Sequence, residues 1–212
     1  MSMKKVIALI LCTISAISCA ETPFEVFCSK FPQLSLPIYA NVSESLETKE
    51  LYYFQLDKVS SITEDEFRKY IQTSRWGEFQ RPSDSLLHIY HYVPAGRINY
   101  GQYIVLFINC GYMPQPKVYE NSDIGAYENM LCVYTKDGIR TDSIIFSRAT
   151  CVSNIGGKFA TEWKGNMPAT YDKATMSANG EIVISRYRDN ELKPYCVDTM
   201  YIDANSGRIK HK

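Results

Sequence analysis

The sequence predicts an α+β protein that is mainly antiparallel β, with a meander of hairpins and one short amphipathic helix. Three observations lead to this prediction. Short β-prone runs follow one another along residues 86–211, and turn-forming pairs such as Asn179-Gly180 separate them. One helical pattern with a strong start signal, at Thr63, precedes these runs. Successive hairpins build an antiparallel sheet that is either curled into a half-barrel or packed as a sandwich.

Residues 1–20 have the pattern of a secretory signal peptide. A positively charged start precedes an uncharged apolar run, residues 6–17, which is too short to span a bilayer. Two processing routes are open. If residues 16–19 form a lipobox, Cys19 is acylated and anchors the protein; cleavage after Ala20 would instead release a soluble secreted chain. We favour the first route and expect an exported protein, lipid-anchored at Cys19 in the periplasm or outer membrane.

The length and charge of the remaining chain limit its organisation and its partners. Residues 21–212 suit one domain with a sizeable core. We divide them into an extended N-terminal arm (21–48), whose prolines argue against a long helix, and a single β-rich domain (49–212). Basic and acidic residues balance at 23 each over the full sequence, and removal of Lys4 and Lys5 with the signal leaves a slightly acidic chain. No Lys/Arg cluster occurs, so we do not expect nucleic acid as a partner.

Five cysteines follow the signal peptide. No two have the C-x-x-C spacing of zinc or thioredoxin-like sites. Export permits disulfides, whereas the apolar neighbours of each cysteine suit a buried, reduced thiol. Both states stay open here, and the odd number leaves at least one thiol unpaired. The five are Cys28, Cys110, Cys132, Cys151 and Cys196.

The predicted helix has the most specific local signal. Thr63 and Glu66 match a capping box, and Ile62 with Phe67 forms a hydrophobic staple around it. Apolar residues then recur on one face, so the helix should run to about Ser74 and cover one side of a sheet. Just before it, an aromatic and β-prone run is predicted to form a strand, at residues 51–56.

Four hairpins follow. The first joins residues 86–93 to residues 97–110 through Pro94-Ala95-Gly96, with Gly101 expected at a bulge. Its second arm contains Tyr103–Ile108, which is apolar on both faces and is predicted to be a central, doubly buried strand. The other turns are predicted at 137–138, 179–180 and 205–207, and loops at 111–128 and 151–168.

The predicted layout of this chain begins with an export signal that ends in a cysteine. One helix follows, and then hairpins with turns such as Lys136-Asp137-Gly138 and Ala178-Asn179-Gly180. The layout resembles that of the uncharacterised secreted proteins and lipoproteins of Bacteroides-type bacteria. The resemblance covers most of the chain and contains no specific motif. It therefore implies an envelope location and supplies no active-site residues.

Candidate ligand contacts lie on the first predicted hairpin strand. His88 and His91 are three residues apart, so on a strand they point to opposite faces and are not expected to share a metal. We predict no metal site and no cofactor. His88, Tyr90 and Tyr92 line one face of this strand. That face can contact a ligand, or it can pack under the arm or the helix, and we prefer the second interpretation.

The sequence contains no serine elbow, phosphate loop or dinucleotide fingerprint. Paired carboxylates have no local signature, and Asp198, inside a predicted strand, is expected to accept structural hydrogen bonds. We therefore favour a non-enzymatic envelope lipoprotein that binds a protein or glycan partner. The alternatives are a secreted hydrolase with a non-local active site, and an immunity or inhibitor protein or a structural subunit of an envelope complex. Four loop aromatics are further candidate contacts: Tyr112, Tyr119, Tyr127 and Trp163.

Overall fold

The computed structural model describes residues 21–41, 62–73, 88–114, 124–153, 170–188 and 191–212. These residues form two short helices and nine strands. The elements in chain order are α1 (Pro23–Ser29), β1 (Ile38–Asn41), α2 (Glu64–Glu66) with its π-helical continuation (Phe67–Ile71), β2 (His88–Tyr100), β3 (Tyr103–Pro114), β4 (Ile124–Thr135), β5 (Arg140–Ser153), β6 (Thr170–Met176), β7 (Glu181–Arg188), β8 (Cys196–Ile202) and β9 (Ile209–His211).

The strands make one antiparallel path in the order β2-β3-β4-β5-β6-β7-β8-β9. The link between β5 and β6 is short, because only Ala149 and Thr150 of β5 pair with β6. β1 pairs with residues 173–176 of β6, on the same edge of β6 that pairs with β5 at residues 170–171. The path thus divides into a first sheet (β2–β5) and a second sheet (β1 and β6–β9), which pack as a sandwich. The predicted fold class, α+β and mainly antiparallel β, is confirmed.

The central strands of the first sheet are buried on both faces. One face of β3 and β4 packs against the helices, and the opposite face packs against the second sheet. This confirms the prediction of a doubly buried central strand, since continuous apolar runs mark strands that are covered on both sides. The side chains that pack against the helices are those of Leu106, Ile108, Cys132 and Tyr134, and those that pack against the second sheet are Val105, Phe107, Leu131 and Val133.

Two capping boxes start the helical layer. The predicted box of Thr63 and Glu66 is present, and a second one forms between Thr22 and Glu25 at the start of α1. The prediction of an extended arm over residues 21–48 is therefore wrong for α1. Pro23 occupies the first position of that helix, where its missing N–H costs no hydrogen bond.

Aromatic packing and one arginine hold the helices on the sheet. The rings of Phe27 and Tyr70 stack with centroids 4.7 Å apart, and the Tyr134 hydroxyl donates to the Tyr70 carbonyl at 2.7 Å. Arg140 donates to the carbonyls of Ile71 and Gln72 at 2.8 and 2.9 Å. These donors satisfy carbonyls that the end of a helix leaves unpaired, so the helix stops here and not near Ser74 as predicted.

The first hairpin differs from its prediction. Pro94-Ala95-Gly96 lies inside β2 at a register shift, and the chain reverses instead at Gly101, whose φ is +57°. Pro94 is tolerated because β2 is the edge strand of the first sheet, where a missing donor breaks no ladder. The chain after α1 covers part of this edge, since Leu34 and Arg97 are joined by a backbone hydrogen bond of 2.8 Å.

The other three hairpins are confirmed, with left-handed glycines at their turns. The predicted loops are shorter than expected. β3 extends to Pro114, β4 begins at Ile124, and β5 continues to Ser153, so both ends of the first predicted loop and the start of the second are strand. The strand predicted at residues 51–56 lies outside the described residues.

Two contacts bring the second sheet back onto β5. The Thr141 hydroxyl donates to the Gly207 carbonyl at 2.9 Å, and the Asp142 carboxylate accepts from the Ile209 N–H at 2.9 Å. The start of β5 is thus tied to β9, while its far end pairs with β6. Between these two attachments, β5 and the inner face of the second sheet face each other across a gap.

We expect Gly101→Ala to lower the free energy of unfolding by about 1 kcal/mol, because an L side chain is strained at positive φ. No atom lies within 4 Å of the added Cβ, so the loss comes from the backbone alone. Gly101→Asn is the matched control, since Asn tolerates the left-handed region better. Urea denaturation of both variants tests the turn; equal losses for Ala and Asn, or no loss for Ala, would contradict it.

Candidate functional site

A cavity of about 300 Å³ occupies the gap between β5 and the second sheet. Toward the turn that joins β6 to β7, the inner face of the second sheet is apolar and belongs to the core. At the cavity the same face becomes charged. The walls are formed by Ile144, Ile145 and Arg148 of β5, Asp172 of β6, Ile184 and Arg186 of β7, Asp198 and Met200 of β8, and His211 of β9.

The register of the second sheet explains how its charged side chains meet. Alternate residues of a strand point to the same face, and directly opposed residues share that face. Asp172 is opposed to Arg186, and Asp198 is opposed to Ile184, so all four point inward. The pairing therefore places two carboxylates on the strands that flank β7, with a guanidinium between them.

β5 contributes the opposite wall and carries a bulge. Its pairing with β4 shifts between Asn129 and Met130, which leaves Phe146 as an extra residue in the strand. Bulges bend a strand and redirect its side chains, and they are frequent beside functional sites. Here the bulge separates Ile145 from Arg148, which both line the cavity.

Arg186 and Asp198 form a close ion pair. Nη1 of Arg186 lies 2.6 Å from Oδ2 of Asp198 and donates also to the Cys196 sulfur at 3.3 Å. The Nε–H of the same guanidinium is buried and has no hydrogen-bond partner. A buried charged donor of this kind is costly to leave unpaired, so it requires an explanation.

Asp172 is the most deeply buried ionisable group of the cavity, with 3 % of its surface exposed. Its nearest cation is Arg148, whose Nε lies 3.7 Å from Oδ2, beyond hydrogen-bond distance. Burial raises the pKa of Asp172, and the charges of Arg148 and Arg186, with a hydrogen bond from the Arg148 backbone N–H, offset only part of that effect. The cavity thus contains a carboxyl group whose ionised form is incompletely stabilised.

The predicted contact residues lie elsewhere or outside the described structure. Tyr92 is 3 % exposed, and its ring centre lies 4.5 Å from that of Phe67, so it packs under the helix. The backbone register places Tyr90 opposite Tyr112. Their side chains, with those of His88 on β2 and Tyr127 on β4, are not among those that the structure describes. Cys19, Tyr119 and Trp163 lie outside the described residues.

The described cysteines are reduced. Burial raises the pKa of Cys28 to about 11 and that of Cys132 to about 12. A thiol with such a pKa is protonated at neutral pH and is a poor nucleophile. The interpretation of these residues as small buried hydrophobes therefore holds for three of them, Cys28, Cys110 and Cys132, whereas Cys196 is partly exposed. None of these four cysteines forms a disulfide.

The exposed tyrosines are concentrated on the outer face of the second sheet. Tyr39 is 73 % exposed on β1, and Val197 and Tyr201 are exposed on β8. Neighbouring rings on this face interact, since those of Tyr171 and Tyr187 stack with centroids 5.1 Å apart. Solvated sheet faces usually carry polar residues, so this outer face is a second surface suited to contact with a partner.

Two searches within the described residues gave negative results. No group of three or more metal-binding side chains occurs there, and no helix there is long and apolar enough to cross a membrane. Comparison of the chain with protein-family models, curated proteins and solved structures found no match. The cavity must therefore be interpreted from its own chemistry.

Sequence reasoning identified one cavity residue, Asp198, and expected it to accept structural hydrogen bonds, which it does from Arg186. It missed Arg148, Asp172, Arg186 and His211. One signal was available: Asp172 and Arg186 stand where the alternation of β6 and β7 calls for an inward apolar residue. Nothing in the sequence indicated that β5 forms a wall of the cavity, because that depends on how the two sheets pack against each other.

We expect Asp172→Asn to raise the free energy of unfolding at neutral pH. Because burial raises the folded-state pKa, the folded protein binds a proton more tightly than the unfolded chain does. The ionised carboxyl thus destabilises the fold above its folded pKa, and this effect disappears as the pH falls to the unfolded value, about 3.9. Urea denaturation of wild type and variant between neutral and acidic pH measures the difference.

Asp198→Asn is the contrasting variant. It should lower the free energy of unfolding by about 1 kcal/mol, because it weakens the hydrogen bond to a partly buried guanidinium. A loss of stability in Asp172→Asn at neutral pH would contradict the assignment of Asp172 as a strained group.

Proposed function

We propose that this chain is an exported envelope lipoprotein that acts as a non-enzymatic binding protein, and that the cavity receives a polar group of its protein or glycan partner. One observation carries the proposal. The Nε–H of Arg186 is buried beside an open cavity without a hydrogen-bond partner. The neighbouring Asp172 carboxylate is also buried, and among the described residues it accepts from the Arg148 backbone N–H but from no side chain within hydrogen-bond distance. A ligand group that bonds to both would stabilise them, which is how a preformed polar site gains specificity.

The composition of the walls favours binding over chemistry. Asp198 is occupied by Arg186, which leaves it poorly placed to activate a water. Among the described residues that line the cavity there is no serine or threonine that could act as a nucleophile, and the one sulfur atom is the thioether of Met200. Apolar side chains of β5, β7 and β8 complete the walls, an arrangement typical of sites that hold a small ligand.

A second candidate function is glycoside hydrolysis. The specific observation in its favour is that Asp172 and Asp198 share one cavity and differ in environment, with the pKa of Asp172 raised by burial. A carboxyl with a raised pKa can serve as a general acid while a second carboxylate acts as base or nucleophile. This candidate requires measurable release of reducing ends from a glycan.

The export part of the proposal depends on the signal at residues 1–20. We expect the wild-type chain, expressed in a Gram-negative host, to fractionate with membranes and to show the added mass of a lipid on Cys19. Cys19→Ser should remain unlipidated and leave the membrane fraction. Intact mass spectrometry checks both variants. An unmodified wild-type chain that begins at Glu21 would contradict the anchor and leave secretion by ordinary cleavage.

The binding part is tested with Arg148→Ala, whose side chain lies at the rim of the cavity with 37 % exposure. Loss of a charged hydrogen bond to the partner should weaken binding about tenfold or more. Arg68→Ala is the matched control, because it makes the same change on an exposed side chain of the helical layer. Arrays of bacterial glycans and pull-downs from envelope extract report the binding.

Equal binding by wild type, Arg148→Ala and Arg68→Ala would place the binding site outside the cavity. Flat arrays together with an empty pull-down would contradict a binding function altogether. Release of reducing ends by wild type, and its loss in Asp172→Asn with binding retained, would establish the second candidate instead.

A further inference from the structure

The arginine and aspartate charges of the cavity cancel, with His211, the other ionisable residue of its described lining, counted as neutral. Arg148 and Arg186 supply two positive charges, and Asp172 and Asp198 supply two negative ones. The opposite charges lie close together, at 2.6 Å in one pair and 3.7 Å in the other. The site therefore offers no net charge that would select a cation or an anion, and charge alone favours an uncharged ligand.

The hydrogen-bonding capacity of the cavity is not balanced in the same way. The Nε–H of Arg186 is a buried donor without an acceptor. The buried carboxyl of Asp172 accepts a hydrogen bond from the Arg148 backbone N–H, while the Nε of Arg148 is too distant to donate. Because an ionised carboxylate has about four acceptor positions, Asp172 can accept further hydrogen bonds. A ligand that satisfies both must present an acceptor and a donor side by side. Hydroxyl groups do so, because each can donate and accept.

The rest of the lining fits the carbon skeleton of such a ligand. Ile144, Ile184 and Met200 form an apolar surface beside the charged groups. The volume, about 300 Å³, is at the lower end of ligand sites and suits one ring. A sugar has one edge of hydroxyls and one face of C–H groups, so it complements both parts of the wall.

We propose that the cavity binds a single uncharged sugar ring of an envelope glycan, with neighbouring hydroxyls bonded to the Asp172 carboxyl and to the Nε–H of Arg186. This inference rests on the proposed binding function and names its ligand class. It requires no covalent step.

Calorimetric titration of the mature protein with single sugars tests the inference. The probes are D-glucose, D-galactose, D-mannose and N-acetyl-D-glucosamine, with inorganic phosphate and L-alanine as charged and zwitterionic comparators. We expect at least one neutral sugar to bind saturably and both comparators to fail. Backbone amide NMR of the same mixtures should show shifts at the cavity residues of β5 and β6–β8.

Asp172→Asn should weaken the sugar about tenfold or more, because a neutral amide replaces a charged acceptor. This variant is expected to fold, since it removes an incompletely stabilised charge. Asp65→Asn is the matched control, since Asp65 is exposed in the helical layer, and it should bind as wild type does.

Three outcomes overturn the inference. Phosphate or alanine bound in the cavity, with no sugar bound, would show that the ligand class is charged. Sugar binding unaffected by Asp172→Asn would place the sugar elsewhere. No binding of any sugar at millimolar concentration would also reject it. In each case, binding of the protein or glycan partner that is weakened by Arg148→Ala would still support the proposed binding function. If no such binding is found, both the binding function and the sugar site are rejected.

Discussion

The burial of β3 and β4 on both faces is the constraint on which the rest of the structure depends. Leu106 and Leu131 have no exposed surface, although they point to opposite sides of the first sheet. Two coverings are therefore required, and the chain supplies helices on one side and the second sheet on the other. Hydrogen bonds join the second sheet to β5 at β6 and at β9, Phe146 of β5 packs into the core between them, and the cavity is the space that this closure leaves unfilled.

The cavity is the place where local rules of folding are broken. Inward positions of a sandwich normally carry apolar residues, yet Asp172 and Arg186 occupy two of them on neighbouring strands. Such groups lower stability unless something bonds to them, and proteins usually tolerate that cost at functional sites. The same feature defines the proposed ligand, because a group that binds there must supply an acceptor for the Arg186 Nε–H and a donor for the Asp172 carboxylate.

The elements that depend on local sequence were predictable, and those that depend on distant contacts were not. The capping box at Thr63 and the turn at Asn179-Gly180 are specified by a few adjacent residues, and both occur as predicted. The first turn was misplaced because Pro94 reads as a turn residue unless the strand is known to be at an edge. α1 is the exception among the local elements: Thr22 and Glu25 form its capping box, yet the prolines of this segment argued against a long helix, and its packing partners, such as Tyr70, lie far along the chain. The cavity was missed because its walls come from β5 and the second sheet together.

The most direct measurement of the central claim is a high-resolution crystal structure of the protein purified from the cells that produce it. The account predicts electron density for a hydroxyl-bearing group in the cavity, within hydrogen-bond distance of both the Asp172 carboxyl and the Arg186 Nε. A cavity occupied by a side chain of this same chain, which bonded to those two groups, would contradict the account. Asp172 and Arg186 would then be parts of an internal network, and the partner would have to bind elsewhere.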